Sequence, residues 1–169
     1  MNFQLTGGSV AIDNVSSFLE EVRYVASNCN TIIQAMDADK IAGEDHILFA
    51  VRKALCAKEK NTCIARDLGI EIMRYASGKR QIGEAFSMGV HQGRMNVVFV
   101  ILAENGDIKR AVRSLEQMVE KMPVVDYCSY KLDFLIEQFS ITQKEIEATG
   151  EDVIPLLVME RVALVDVLK

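Results

Sequence analysis

Histidine and cysteine are scarce in this chain, and their spacing is poor for chemistry. The 169 residues contain two histidines, His46 and His91, and four cysteines, Cys29, Cys56, Cys63 and Cys128. No Cys-x-x-Cys pair occurs and no Cys/His group has ligand spacing, which argues against a zinc site and gives no reason to expect a metal or other cofactor. Met1 to Val10 lacks a basic stretch ahead of an apolar run, so no signal peptide is expected. A reduced, cytoplasmic setting is expected, with the cysteines acting as small hydrophobes. No Pro/Gly/Ser-rich linker and no internal repeat divides the sequence, and one domain over residues 1–169 is expected. A Gly-x-Ser-x-Gly nucleophile elbow and a Gly-x-Gly-x-x-Gly dinucleotide fingerprint are both missing. Excess positive charge is missing too. Lys and Arg number 19 against 24 Asp and Glu, a net charge of −5, so bulk charge predicts no affinity for nucleic acid and any such binding needs a local patch.

What is present suits a packed domain. Half of the residues are hydrophobic and a quarter are charged, enough for a core and a solvated surface. "MNFQLTGGSVAI" reads as a short strand with a turn at Gly7-Gly8, and Asp13 or Asn14 caps the helix that follows. Val15, Phe18, Leu19, Val22, Val25 and Ala26 form its apolar face. "TIIQAMDA" reads as a second strand. "GEDHILFAVRKALCAKEK" reads as a helix with acids in its first turn and lysines in its last, the polarity that suits the helix dipole. A short helix is expected from Asn61 or Thr62 to near Gly69. The alternation in "IEIMRYA" suggests a strand, and "KRQIGEAFSMG" a short helix. The continuous apolar run from Val97 to Ala103 predicts a buried central strand closed by an Asn-Gly turn. Asp107 then opens a helix along Ile108, Ala111, Val112, Leu115, Met118 and Met122. After Pro123 the chain reads as helical, with a capping box at Thr142 and Glu145. The sum is an α+β fold, a small and mostly antiparallel sheet packed against several helices.

One segment, "RYASGKRQIGEAF" at residues 74–86, raises a phosphate question. A Walker A loop would need glycine at position 73 and a hydroxyl at position 80, where Met73 and Arg80 stand, so a P-loop is excluded. Ser77-Gly78 can still turn the chain sharply into a helix N-terminus, where backbone N–H groups are free. Lys79 and Arg80 add full charges there. The same features also describe a plain turn with solvated basic residues, and both readings stand at this level. A small hydrolase or transferase acting on a phosphorylated substrate would need a nucleophile or base at the Gly78-Lys79 corner. Neither a Cys128–His91 pairing nor the neighbouring acids Asp37/Asp39 and Glu151/Asp152 has a pattern that supports it.

The C-terminal segment, "EDVIPLLVMERVALVDVLK", is the other unusual feature. From Val153 to Leu168 only Glu160, Arg161 and Asp166 are charged, and apolar residues surround the helix axis. Such a helix is buried or covered by a partner. It is too short and too interrupted by charge for a membrane span.

"RYASGKRQIGEAFSMGV" followed by "VVFVILAENGDIKRAVRSL" resembles the kinase-binding accessory subunit of the KEOPS complex, in an archaeal form of the PRPK-binding protein family. The likeness extends over nearly the whole chain, and "ASGKRQI" is its most specific part. The resemblance implies a non-catalytic subunit without metal or nucleotide of its own. It would bind the N-lobe of the small atypical kinase-ATPase and associate with the threonylcarbamoyl transferase subunit through that kinase. It would also help recruit tRNA by its 3′ CCA end for threonylcarbamoyl modification of adenosine 37. On this resemblance Ser77, Gly78, Lys79, Arg80 and Gln81 belong to the RNA-binding motif, with Arg74, His91 and Arg94 as neighbours, and Tyr75, Phe86 or Arg74 as a stacking surface. Gly83 stands where a better helix former is expected. The surplus apolar surface of the last helix places the kinase contact at Leu157, Arg161, Leu164 and Val165.

Overall fold

The computed structural model describes residues 1–167. Leu168 and Lys169, the end of the apolar C-terminal segment, lie outside the described residues. In chain order the elements are β1 (Asn2–Ile12), α1 (Val15–Cys29), β2 (Ile32–Asp37), α2 (Glu44–Glu59), α3 (Leu68–Ala76), α4 (Ile82–Ala85), β3 (Gly93–Ala103), α5 (Ile108–Glu116), β4 (Glu120–Lys121), α6 (Leu132–Phe139), α7 (Gln143–Thr149) and α8 (Ile154–Leu164). They gather into two compact units, each built from two stretches of chain. The sheet unit comprises Met1–Ala38 and Gly89–Val124, and the helical unit comprises Asp39–Met88 and the chain from Val125 onward.

The sheet unit carries a four-stranded sheet in the order β2-β3-β1-β4, with every pairing antiparallel, so the fold is α+β as expected. β3 is the long central strand, pairing with β1 from Asn2↔Ala103 to Ile12↔Gly93 and with β2 from Ile32↔Leu102 to Asp37↔Val97. Its residues alternate in direction. Val97, Phe99 and Ile101 meet Phe18, Val22 and Cys29 of α1 and Ala111 and Leu115 of α5. The Phe18 and Phe99 rings stack at 6.3 Å. Val98, Val100 and Leu102 point the other way and are also buried, which accounts for an unbroken apolar run in place of an alternating one. Each such side chain contributes roughly 1.5–3 kcal/mol through burial.

Gly7-Gly8 is not a turn. Both glycines lie inside β1, paired with Val98 and Val97. A Cβ on Gly7 would collide with Val97 O, and one on Gly8 with Glu120 O. These glycines therefore permit close backbone approach within the sheet. Asn14 caps α1, its Oδ1 accepting from Ser17 N–H at 2.9 Å, and Asp107 caps α5 by accepting from Arg110 N–H at 2.9 Å.

In the helical unit α2 packs against α3 and α8, turning Ile47, Ala50, Val51, Ala54 and Ala57 inward. The segment "IEIMRYA" is the body of helix α3, not a strand, and no helix starts at Asn61 or Thr62. Asp67 begins α3 by accepting from Ile70 N–H at 3.0 Å. Glu71 and Arg74, one turn apart, both point into the unit, and their burial is what disguised the helical stripe. The capping box at Thr142 and Glu145 opens α7, and Gly150, with φ of 86°, ends it. Pro155 lies in the first turn of α8, where no backbone donor is lost from the helix.

Candidate partner-binding surfaces

The corner after α3 is held from inside. Ser77 is buried. Its hydroxyl donates to Arg74 O at 2.7 Å and accepts from Lys79 N–H at 3.2 Å. Gly78 has φ of 67°, a left-handed conformation that favours glycine. A Cβ there would also press on the Phe139 ring at 3.1 Å and on Arg161 Cβ at 3.4 Å. Ser77 and Gly78 thus shape the corner, while Arg80 and Gln81 are exposed and Lys79 is half-buried.

Gln138 of α6, which sequence reasoning missed, braces both ends of the corner segment. Its Nε2 donates to Ser77 O at 3.2 Å, and its Oε1 lies 3.1 Å from Ser87 Oγ. Lys40 Nζ adds a bond to Ser87 O at 2.6 Å. No motif marks Gln138. The only sequence signal was a polar residue on the otherwise apolar inner side of "LDFLIEQF". Between the two braces Phe86 stands 55% exposed, so of the residues expected to offer a stacking surface it is the one on the outside. The helix after the corner, α4, has four residues, too few for a developed helix dipole. The anion affinity expected there therefore rests on the Lys79 and Arg80 side chains, not on the helix terminus.

Arg74 and Tyr75 are inside, against the expectation that either contacts RNA. Arg74 is 1% exposed and makes a two-pronged pair with Glu71, Nη2 to Oε1 at 2.7 Å and Nε to Oε2 at 3.2 Å. Burial works against the charged guanidinium, but the bonds and charge of Glu71 outweigh it and raise its pKa. Glu71 in turn accepts from Ala65 N–H at 2.8 Å, so this pair moors the loop before α3. The Tyr75 phenol, pushed up to about 12 by burial and by the Asp166 carboxylate, stays a donor, and it bonds Asp166 Oδ1 at 2.8 Å.

Behind the corner lies His46, fully buried. Its Nδ1 accepts from Ala42 N–H at 3.1 Å, and its Nε2 donates to Ala76 O at 2.8 Å. The ring meets Phe139 edge-on at 5.6 Å. Burial lowers its pKa to about 4, against the Ala76 bond, which raises it, and with the help of the Lys131 charge. It is a neutral brace sealed from solvent.

His91 and Arg94 belong to the sheet unit, and both are exposed. His91 Nε2 lies 3.9 Å from Asp37 Oδ2, and Arg94 Nη2 lies 3.4 Å from Glu120 Oε2.

On α8 the four residues expected to meet a kinase divide by facing. Val165 is fully buried and belongs to the core, which removes it from any contact surface. Arg161 is spent on its own unit. Its Nε donates to Phe139 O at 3.3 Å, Nη2 to Glu145 at 2.5 Å and Nη1 to Glu160 at 3.3 Å, tying α8 to α6 and α7. Leu157 and Leu164 are half-buried. The large apolar residues that face outward are Leu156, 62% exposed, and Val167, 70% exposed. One side of the segment is core and the other is open.

Among the described residues no group of three or more His, Cys, Asp or Glu could hold a metal ion, and no helix is long and apolar enough to cross a membrane. The family model described as "Kinase binding protein CGI-121" matches residues 11–166. No curated protein matches the chain.

Proposed function

The chain belongs to the CGI-121 family of kinase-binding proteins, and from that premise we propose that it is a non-catalytic subunit of a cytoplasmic KEOPS assembly. In this reading it binds and regulates the small atypical kinase-ATPase. Through that kinase it associates with the transferase that modifies adenosine 37 of tRNA, and it helps recruit the tRNA by its 3′ CCA end. The observation that carries the reading is the family match, which spans both units and every element from α1 to α8. The open side of α8, with Leu156 and the half-buried Leu157 and Leu164, is the kinase surface: it holds apolar side chains that the unit leaves outside. Lys79 and Arg80 meet RNA phosphates, Gln81 reaches a base edge and Phe86 stacks on a base, a combination suited to an unpaired 3′ end. His91 and Arg94, exposed on the sheet unit, meet RNA there in the same reading.

Two binding measurements test this. Co-purification with the kinase should be lost in Leu156→Asp/Leu164→Asp while the variant keeps its melting temperature within a few degrees. An intact kinase complex would place the interface elsewhere. Binding of tRNA should weaken on removal of CCA and in Lys79→Ala/Arg80→Ala. Equal affinity for whole and trimmed tRNA would sink the RNA part of the proposal and leave the kinase part standing.

A further inference from the structure

Asp166, in the turn after α8, gathers three donors from two other helices. Lys53 Nζ of α2 lies 2.6 Å from Oδ2, Tyr75 Oη of α3 donates to Oδ1 at 2.8 Å, and Arg74 Nη2 lies 3.9 Å from Oδ1. Lys53 Nζ and Arg74 Cζ also lie over the Tyr75 ring, at 5.4 and 4.2 Å from its centre. This is a built anion site, and its present occupant does not saturate it. The Arg74 contact is long, and Arg74 Nη1 is buried with no hydrogen-bond partner among the described residues. An unpaired buried guanidinium N–H is costly, so a carboxylate set closer to the fork would be held better than Asp166 is.

Charge and access narrow the ligand. Glu71 balances Arg74, and Asp166 balances Lys53. Replacing Asp166 with another single negative charge keeps that balance, whereas a doubly charged phosphate monoester would overfill it. Arg74 and Tyr75 are almost wholly covered, and the ways in are beside the half-exposed Asp166 and the partly exposed Lys53. A carboxylate on a side chain fits such an opening better than a phosphodiester flanked by two riboses. The Asp166 side chain is half exposed, on a turn closed by Val167 N–H to Leu164 O at 2.9 Å, with the neighbouring Val165 buried in the core, so exchanging its carboxylate for another requires no change in the packed backbone.

We infer that Lys53, Arg74 and Tyr75 form a carboxylate receptor, that Asp166 plugs it in the free chain, and that an Asp or Glu side chain of the bound kinase takes its place. The inference rests on the kinase-binding reading and gives it a regulated contact beside the apolar face of α8. A cis plug lowers apparent affinity by the fraction of time the site is closed.

The test compares kinase affinity for the full-length wild type, Asp166→Ala, Lys53→Met and the double variant, with melting temperatures measured alongside. Asp166→Ala should tighten binding by about tenfold if the plug is closed about nine-tenths of the time. Lys53→Met should weaken it, and the double variant should show no gain over Lys53→Met. Asp166→Ala that binds the kinase no tighter than wild type overturns the inference. If that variant melts far below the wild type, Asp166→Asn, which keeps the size and loses the charge, is judged by the same criterion. Tightening toward tRNA and not toward the kinase would assign the receptor to a phosphodiester and overturn the carboxylate assignment. A wild-type chain that binds no kinase at all fails at the premise, which separates that failure from the others.

Discussion

His46 makes the stability of the helical unit depend on pH with a definite sign. Its folded pKa is about 4 against an ordinary 6.5, so the unfolded chain takes up the proton first as the medium acidifies. The His46 contribution is complete above about pH 6.5 and is lost as pH falls from 6.5 to 4, a swing of roughly 3 kcal/mol at 1.36 kcal/mol per pKa unit. Urea midpoints measured across that range should fall steadily for the wild type. A His46→Leu variant should start lower at neutral pH, having lost the bonds to Ala42 and Ala76, and its profile should be flatter. Two glycines in the same unit should respond in opposite directions. Gly78→Ala meets a left-handed backbone and the Phe139 ring, and should cost about 1–3 kcal/mol. Gly83→Ala meets open space on α4 and should gain about 0.5–1 kcal/mol, the ordinary helix preference for alanine over glycine. Thermal melts of the pair give both signs in one experiment.

At the scale of elements, Arg161 is the fastener of α7. Its bond and charge, together with two hydrogen bonds from Thr142, hold the Glu145 carboxyl down to about 2. That contribution is present above the usual Glu range near 4.5 and fades as pH falls toward 2. In Arg161→Ala the Glu145 titration should move up toward its ordinary value, and amide exchange in Gln143–Thr149 should quicken while exchange in α1 stays unchanged. NMR reads both in one sample. The elements also differ in how plainly the sequence announces them. β3, the Asp107 cap and the Thr142–Glu145 box are local signals and were legible. α3 was not, because Glu71 and Arg74 face inward and leave Ile70 and Ile72 to mimic a strand, although Asp67 followed by Ile70 N–H offered a cap. Gly7-Gly8 looks like a turn until the close approach of Val97 O and Glu120 O is known. The facing of α8 is a tertiary property. A helix apolar on every side does not declare that Val165 goes in and Leu156 stays out, and nothing local marks Gln138 as the brace of the basic corner.

For the whole molecule, a net charge of −5 limits what a basic corner can do. If Lys79 and Arg80 are the two phosphate contacts, the logarithm of tRNA affinity should fall with the logarithm of salt concentration with a slope of about −1.4, at roughly −0.7 per single-stranded phosphate. A slope several times steeper would require cations beyond this corner. The division of the chain has its own consequence during synthesis. Every part of the sheet unit has left the ribosome once Val124 emerges, since that unit ends there. The first half of the helical unit, Asp39–Met88, emerges earlier and must wait. Until α6 and α8 follow, Gln138 is not there to brace Ser77, Phe139 is not there to seat Gly78, and Asp166 is not there for Lys53 and Tyr75. α2 and α3 are thus made early and stay without these partners until the C-terminal part of the chain has emerged.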